Sequence, residues 1–191
     1  MEYSRVGTLI VSRFPIVATG DILSGEMGFN RVSFVDVVVG SDTMRIINVH
    51  LHSMGLGRFD PRTQSQIRDM GRATRTILSK LKEGVFERSN EVKKMAAFIE
   101  HSPYPVVCVG DFNDMPYGYT YRYLRRTLKN AFEDAGRGFG FTYNGGTLRV
   151  LRIDNQFYTG RVRAIGLQTR YDIPYTDHFP VQGTYEIPTD K

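Results

Sequence analysis

Apolar residues in this chain come in short runs and alternating stretches, each cut by glycine, proline, asparagine or aspartate. Only in a central third do they recur at helical spacing. The β-branched stretches predict strands. Residues 7–16 read as a first strand closed by a turn at Pro15, and residues 32–39 as a second. Gly40-Ser41-Asp42-Thr43 has hairpin-turn composition, and residues 44–52 follow as a third strand with Ile46, Asn48 and His50 on one face. Two helices come next. Ile67, Met70, Thr74, Ile77, Leu78 and Leu81 form the stripe of one that stops near Gly84, and Val85, Val92, Met95, Ala96 and Ile99 that of another ending before Pro103. Val106-Val107-Cys108-Val109 is too short for a helix core and predicts a strand buried on both faces. Beyond Met115-Pro116 a third helix turns Tyr121, Leu124 and Leu128 inward. Glycine-rich residues 136–146, with Phe139, Phe141 and Tyr143, read as a surface loop or irregular strand lining a cleft. Short strands around 152–158 and 179–187 close the chain. This order makes a mixed α/β domain, and its hairpins exclude a purely parallel doubly wound sheet.

Composition narrows the picture. At 191 residues and 41% hydrophobic, the chain is long enough to bury a sizeable core as one domain over 1–191. No run approaches eighteen apolar residues and no signal-peptide pattern opens the chain, so it reads as a soluble domain without a transmembrane segment. Cys108 is the only cysteine, which excludes a disulfide framework and a multi-cysteine zinc site; on its strand it reads as an ordinary buried thiol. Localisation stays open between the cytoplasm and a membrane reached through an upstream segment. The net charge of +5 suits anionic partners such as phosphate esters or nucleic acid. Its densest group, Arg72, Arg75, Lys80 and Lys82, falls on a predicted helix and reads as a solvated face, so charge alone selects no partner.

The chemistry gathers at strand ends. VVCVGDFND presents Asp111 and Asn113 in a tight turn after the central strand, where α/β sheets carry their sites. Three more polar clusters flank predicted strands: Asn48-Val49-His50, Arg152-Ile153-Asp154 and Thr176-Asp177-His178. Each alone has a plain structural explanation: a core histidine, an edge ion pair, a turn cap. Together they supply what metal-assisted phosphodiester hydrolysis needs. Carboxylates hold a hard divalent cation, an aspartate aligns water, and histidine and asparagine donate to the phosphoryl oxygens. His52 and His101 read as structural or solvated.

The ordered set SRFPI, NVHLHS, VVCVGDFND, RIDNQF and TDHFPV closely resembles the endonuclease/exonuclease/phosphatase superfamily, the DNase I-like fold, over nearly the whole chain. The stretches SPYPVVCVGDFND and AFEDAGRGFGFTYNG are most similar to its Bacteroidetes-type bacterial members. The resemblance implies a four-layer sandwich of two facing β-sheets flanked by helices, and Mg²⁺ (or Mn²⁺) as cofactor. It implies Asp111 as the group that orients or deprotonates water and Asn113 as a donor to the scissile phosphate. His50 and His178 become the phosphate-side histidines, and Asp154 the residue that holds a histidine's tautomer. Asp177, with Asp111 and Asn113, would lie at the metal. A family strand carrying a metal-binding glutamate should precede SRFPI; Glu2 and Glu26 stand in the wrong places for it. The expectation is a domain partial at its N-terminus, weak or inactive alone, with a sheet edge left open for a dimer. Asn155 stands where the family often has an aromatic, a change read as tuning of the substrate wall. Substrates in such a family range from DNA to inositol phosphates and sphingomyelin, and Tyr117, Tyr119, Tyr121, Tyr143, Phe139 and Phe141 are candidates for a stacking wall. The alternative is a non-catalytic phosphate-binding remnant of such a hydrolase.

Overall fold

The computed structural model describes residues 8–24, 31–53, 70–145 and 151–188, with side chains from residue 82 onward in the long helix. The element order is β1 (Ile16–Ser24), β2 (Arg31–Val39), β3 (Asp42–His50), α1 (Met70–Glu100), β4 (Val106–Asp111), α2 (Tyr119–Leu124), β5 (Lys129–Asn130), α3 (Ala131–Ala135), β6 (Asp154–Tyr158), β7 (Arg163–Thr169) and β8 (Val181–Glu186). Six strands form one sheet in the order β1-β2-β3-β4-β6-β5, and β7 and β8 form a second. Only β3 and β4 pair in parallel; the other pairs are antiparallel. This is the mixed architecture with two sheets and few helices that the motif order implies.

Alternation along the strands splits the core in two. Ile47, Val49, Val106, Cys108 and Phe157 face α1 and α2, meeting Val92, Met95, Ile99, Tyr121 and Leu124. Val35, Val37, Met44, Val107 and Tyr158 face the other way, onto Val162 and Ala164 and partly buried Leu167 and Tyr185 of the small sheet. Cys108 lies fully buried against Met95, and burial pushes its thiol far above the ordinary range.

Three predicted elements differ. The first strand begins at Ile16, where the proline turn should have ended it. Residues 8–15 carry the right alternation but make no ladder: Leu9 and Val11 are exposed, and Ile10 alone of the three packs inward. Gly20 and Asp21 hide the true strand from a propensity reading. Gly20 is needed there, because a Cβ would sit 2.6 Å from the Phe34 ring on β2. The two helices are one, running 31 residues straight through Gly84. A glycine costs a helix interior about 1 kcal/mol, too little to end one whose apolar face is buried. Ile67 lies outside the described residues, and Val85 is exposed; the inward stripe runs Gly84, Arg88, Val92, Met95 and Ile99. Finally, β7 and α3 are unpredicted. The Asn130 side chain accepts from the Phe132 and Glu133 N–H groups and so caps α3, a five-residue helix too short for periodicity to reveal.

Candidate active site

Register brings the strand-end residues together. His50 on β3 pairs with Asp111 on β4, and Asp111 pairs with Asp154 on β6, so the three stand in one cross-strand row facing the small sheet. At the end of β4, Gly110 has φ +137°, and a Cβ there would overlap the Val49 carbonyl. Only glycine lets β3 and β4 approach so closely beside the row. Asn113 follows with φ +48°, a left-handed turn position that asparagine tolerates.

That turn clamps Asp111. Its Oδ1 accepts from the Asn113 backbone N–H at 2.7 Å, and its Oδ2 from the Asn113 side-chain amide at 3.0 Å. The same amide donates to the Leu51 carbonyl at 2.9 Å. Both donor hydrogens of Asn113 are therefore engaged with the protein, which makes it a clamp on Asp111 in this structure and leaves no free donor for a phosphate. Asp111 is mostly buried, and burial, reinforced by the charge of Asp154, raises its pKa from 3.8 to about 6.

The fourth member comes from a loop. His178 Nδ1 lies 2.7 Å from Asp154 Oδ2, and its Nε2 is 3.9 Å from Asp111 Oδ2. His50 Nε2 stands 4.0 Å from the same oxygen. The hydrogen bond to Asp154 holds the His178 pKa above its ordinary value against the opposing effect of burial. The loop is fixed by its neighbours. Thr142 Oγ1 accepts from the Ile153 and Asp154 N–H groups, its carbonyl accepts from Phe179, and the Tyr143 ring packs edge-on against His178 at 5.2 Å. Asp177 is exposed, and its carbonyl accepts from the Asn144 N–H at 2.6 Å. A cleft of about 350 Å³ opens beside Asp154, His178 and Phe179. A larger hollow of about 580 Å³, between α3 and β7, contains none of these groups.

The aromatic candidates do not form one wall. Tyr121 is buried in the core, Tyr119 stacks on Tyr123, and Phe139 stacks on Phe141. Of the six, Tyr143 is the one seen against a member of the row. His101 Nδ1 lies 2.8 Å from the Ala97 carbonyl, a helix-end contact. His52 presents its backbone to two charged groups of α1: its N–H donates to Glu91 Oε2 at 2.9 Å, and its carbonyl accepts from Arg88 Nη1 at 2.9 Å. Arg88 and Glu91 escaped the sequence reading. The signal available was a lone arginine four residues before Val92, on the apolar stripe rather than beside it.

No protein-family model matches the sequence, and neither does any curated protein sequence. Solved structures do match. The human Nocturnin catalytic domain, determined with a bound sulfate anion, superposes with a TM-score of 0.59 at 13% identity over 92% of this chain and 61% of its own. An endonuclease/exonuclease/phosphatase family protein from Bacteroides thetaiotaomicron gives 0.58 at 16%, over 89% and 63%. A mannosyl-6-phosphatase from the same organism gives 0.56 at 17%, over 91% and 67%. The chain thus spans less than two thirds of the first two. At such identities the likeness speaks for fold, and it agrees with the order of the chain's own motifs: the chain has the DNase I-like fold of the endonuclease/exonuclease/phosphatase proteins.

Proposed function

We propose that this domain hydrolyses a phosphoester by attack of water, with a divalent metal ion, at the row His50–Asp111–Asp154 completed by His178. One observation carries the reading: two imidazole nitrogens, 3.9 and 4.0 Å from one oxygen of a buried carboxylate, surround it without hydrogen-bonding it. At that spacing a water seated to one side can hydrogen-bond the carboxylate and a ring nitrogen together.

In this reading Asp111 orients the water and accepts its proton, and its raised pKa makes it a stronger base than an exposed aspartate. His178, with Nδ1 turned to Asp154, directs Nε2 at the same point and donates to the phosphoryl oxygen where negative charge develops. His50 donates from the opposite side. Asn113 and Asp154 hold these groups in place. The donor set suits a hard cation in kind, since Asp111 and Asp177 offer carboxylate oxygens and Mg²⁺ takes few carboxylates with waters and substrate oxygens. Among the described residues, however, no three histidine, cysteine, aspartate or glutamate side chains converge as ligands. Asp111, Asp177 and Asn113 are the residues that would hold Mg²⁺ or Mn²⁺, which would offset the negative charge of the phosphate.

The substrate is proposed as a phosphate mono- or diester of a sugar or nucleotide. A sulfate, a tetrahedral oxyanion like phosphate, is bound in the Nocturnin domain, and the Bacteroides relative in fold is named a phosphatase of a mannosyl 6-phosphate. A phosphate-binding domain without turnover is the competing reading, favoured by the lack of three converging ligands among the described residues. No described helix is long and apolar enough to cross a membrane. A dimer, if the chain forms one, would use the edge strand β1, where Ile16 and Val17 are exposed.

Hydrolysis of bis(p-nitrophenyl) phosphate and p-nitrophenyl phosphate, each with Mg²⁺, Mn²⁺ or EDTA, tests the proposal. Turnover with metal and none in EDTA supports it, and the preferred ester names the class. Phosphate binding without turnover under every condition would establish the competing reading.

A further inference from the structure

Arg88 is 2% exposed and is the bulkiest of the described side chains that are fully buried. A buried guanidinium is costly unless its surroundings hold it. Its position answers to the site. Arg88 Nη1 donates to the His52 carbonyl, while Glu91, one turn along α1, accepts the His52 N–H. Both backbone groups of one residue are thereby held by a single helix.

The preceding residue is held from the other side. The Leu51 N–H donates to the Asp111 carbonyl and the Leu51 carbonyl accepts from the Asn113 amide. The end of β3 is thus pinned between α1 and the Asp111–Asn113 turn, and His50 is the last residue of that strand. Burial pulls the Arg88 pKa down, and the charges of Asp114, Glu91 and Asp111 oppose it, so the guanidinium lies within the field of the acidic turn.

We propose that Arg88 is a positioning residue for the reaction, holding the end of β3 so that His50 stands across from Asp111. This rests on the hydrolase reading above, and its test has an arm that does not need turnover. Arg88→Gln removes the charge and the fork and leaves only a shorter amide donor; Arg88→Lys keeps the charge on a stem of similar length. Among folded variants of matched thermal transition, Arg88→Gln lowers kcat by ~10–100-fold with little change in KM, as loss of a supporting contact does, and Arg88→Lys recovers part of it. In parallel, amide hydrogen exchange at His52 accelerates and the His50 ring resonances move in Arg88→Gln. If exchange and resonances stay as in the wild type, or if kcat per folded molecule is unchanged, Arg88 is a structural residue only and the proposal fails. If the wild type has no turnover but exchange and resonances respond, the positioning role stands and the hydrolase reading is what has failed.

Discussion

Asp111 carries two opposing demands. Its carboxylate must be ionised to act on water, yet it is buried next to Asp154, which holds its pKa near 6 instead of 3.8. The folded state therefore binds the proton more tightly than the unfolded chain does. Stability contributed by the protonated form is complete below about pH 4 and is lost as pH rises through about 6, in total roughly 3 kcal/mol for a shift of that size. In EDTA, Asp111→Asn should match the wild type at pH 4 and exceed it by up to that amount at pH 8, read by urea unfolding, while the activity measured separately with Mg²⁺ disappears. Equal stability at both values would show that Asp111 is not strained. His178 has the same sign, although here it is the charged form that the fold favours. Its raised pKa is stabilising below its ordinary 6.5, and that stability fades as pH rises through the folded value. Asp154→Asn removes the principal cause, so the His178 titration followed by NMR should move to lower pH. Turnover should fall by ~10²–10⁴-fold, the usual contribution of a positioned acid or base. A titration that does not move would deny Asp154 its role. These residues drew attention in the sequence because each stands beside a strand-like run: His50 and Asp111 end β3 and β4, Asp154 opens β6, and His178 stands shortly before β8. The engagement of Asn113 was not legible, since it depends on the left-handed turn that aims its amide at Leu51 and Asp111.

At the scale of elements, β2, β3 and β4 announce themselves through β-branched runs, whereas β1 and α1 needed tertiary information. Gly20 looks like a break until Phe34 is seen to occupy the space, and Gly84 looks like a stop until it is seen buried within a helix that runs on to Glu100. Arg45 and Asp36 are a further case. They lie opposite each other on β3 and β2, buried and joined by two hydrogen bonds of 2.7 and 2.8 Å. The rings of Phe34, Phe98 and Tyr104 surround the guanidinium, tying the sheet to α1 and to the segment entering β4. Removing one partner of such a pair leaves an uncompensated buried charge. Asp36→Ala should therefore cost about 3–5 kcal/mol by urea unfolding; a loss below about 1 kcal/mol, typical of an exposed pair, would contradict the burial described.

For the molecule as a whole, the two cores explain why chemistry and stability sit apart. The helix-side core, with α1 and the Phe112–Phe157–Tyr121 edge contacts, holds the long sheet together. The opposite face meets a sheet that has two strands among the described residues, and at its end the packing gives way to His50, Asp111, Asp154 and His178. The site is thus a rim on a rigid platform, where a loop histidine can be held by Thr142 and Asp154 while remaining open to a cleft. The central claim is that this rim performs phosphoester hydrolysis. Its most direct test is release of p-nitrophenol from bis(p-nitrophenyl) phosphate by the purified chain with Mg²⁺, measured beside an Asp111→Ala variant that unfolds no more readily than the wild type. Turnover by the wild type, weak though it is expected to be, that the variant lacks is the predicted result. Equal turnover by both, or none by either, would contradict the assignment of the site.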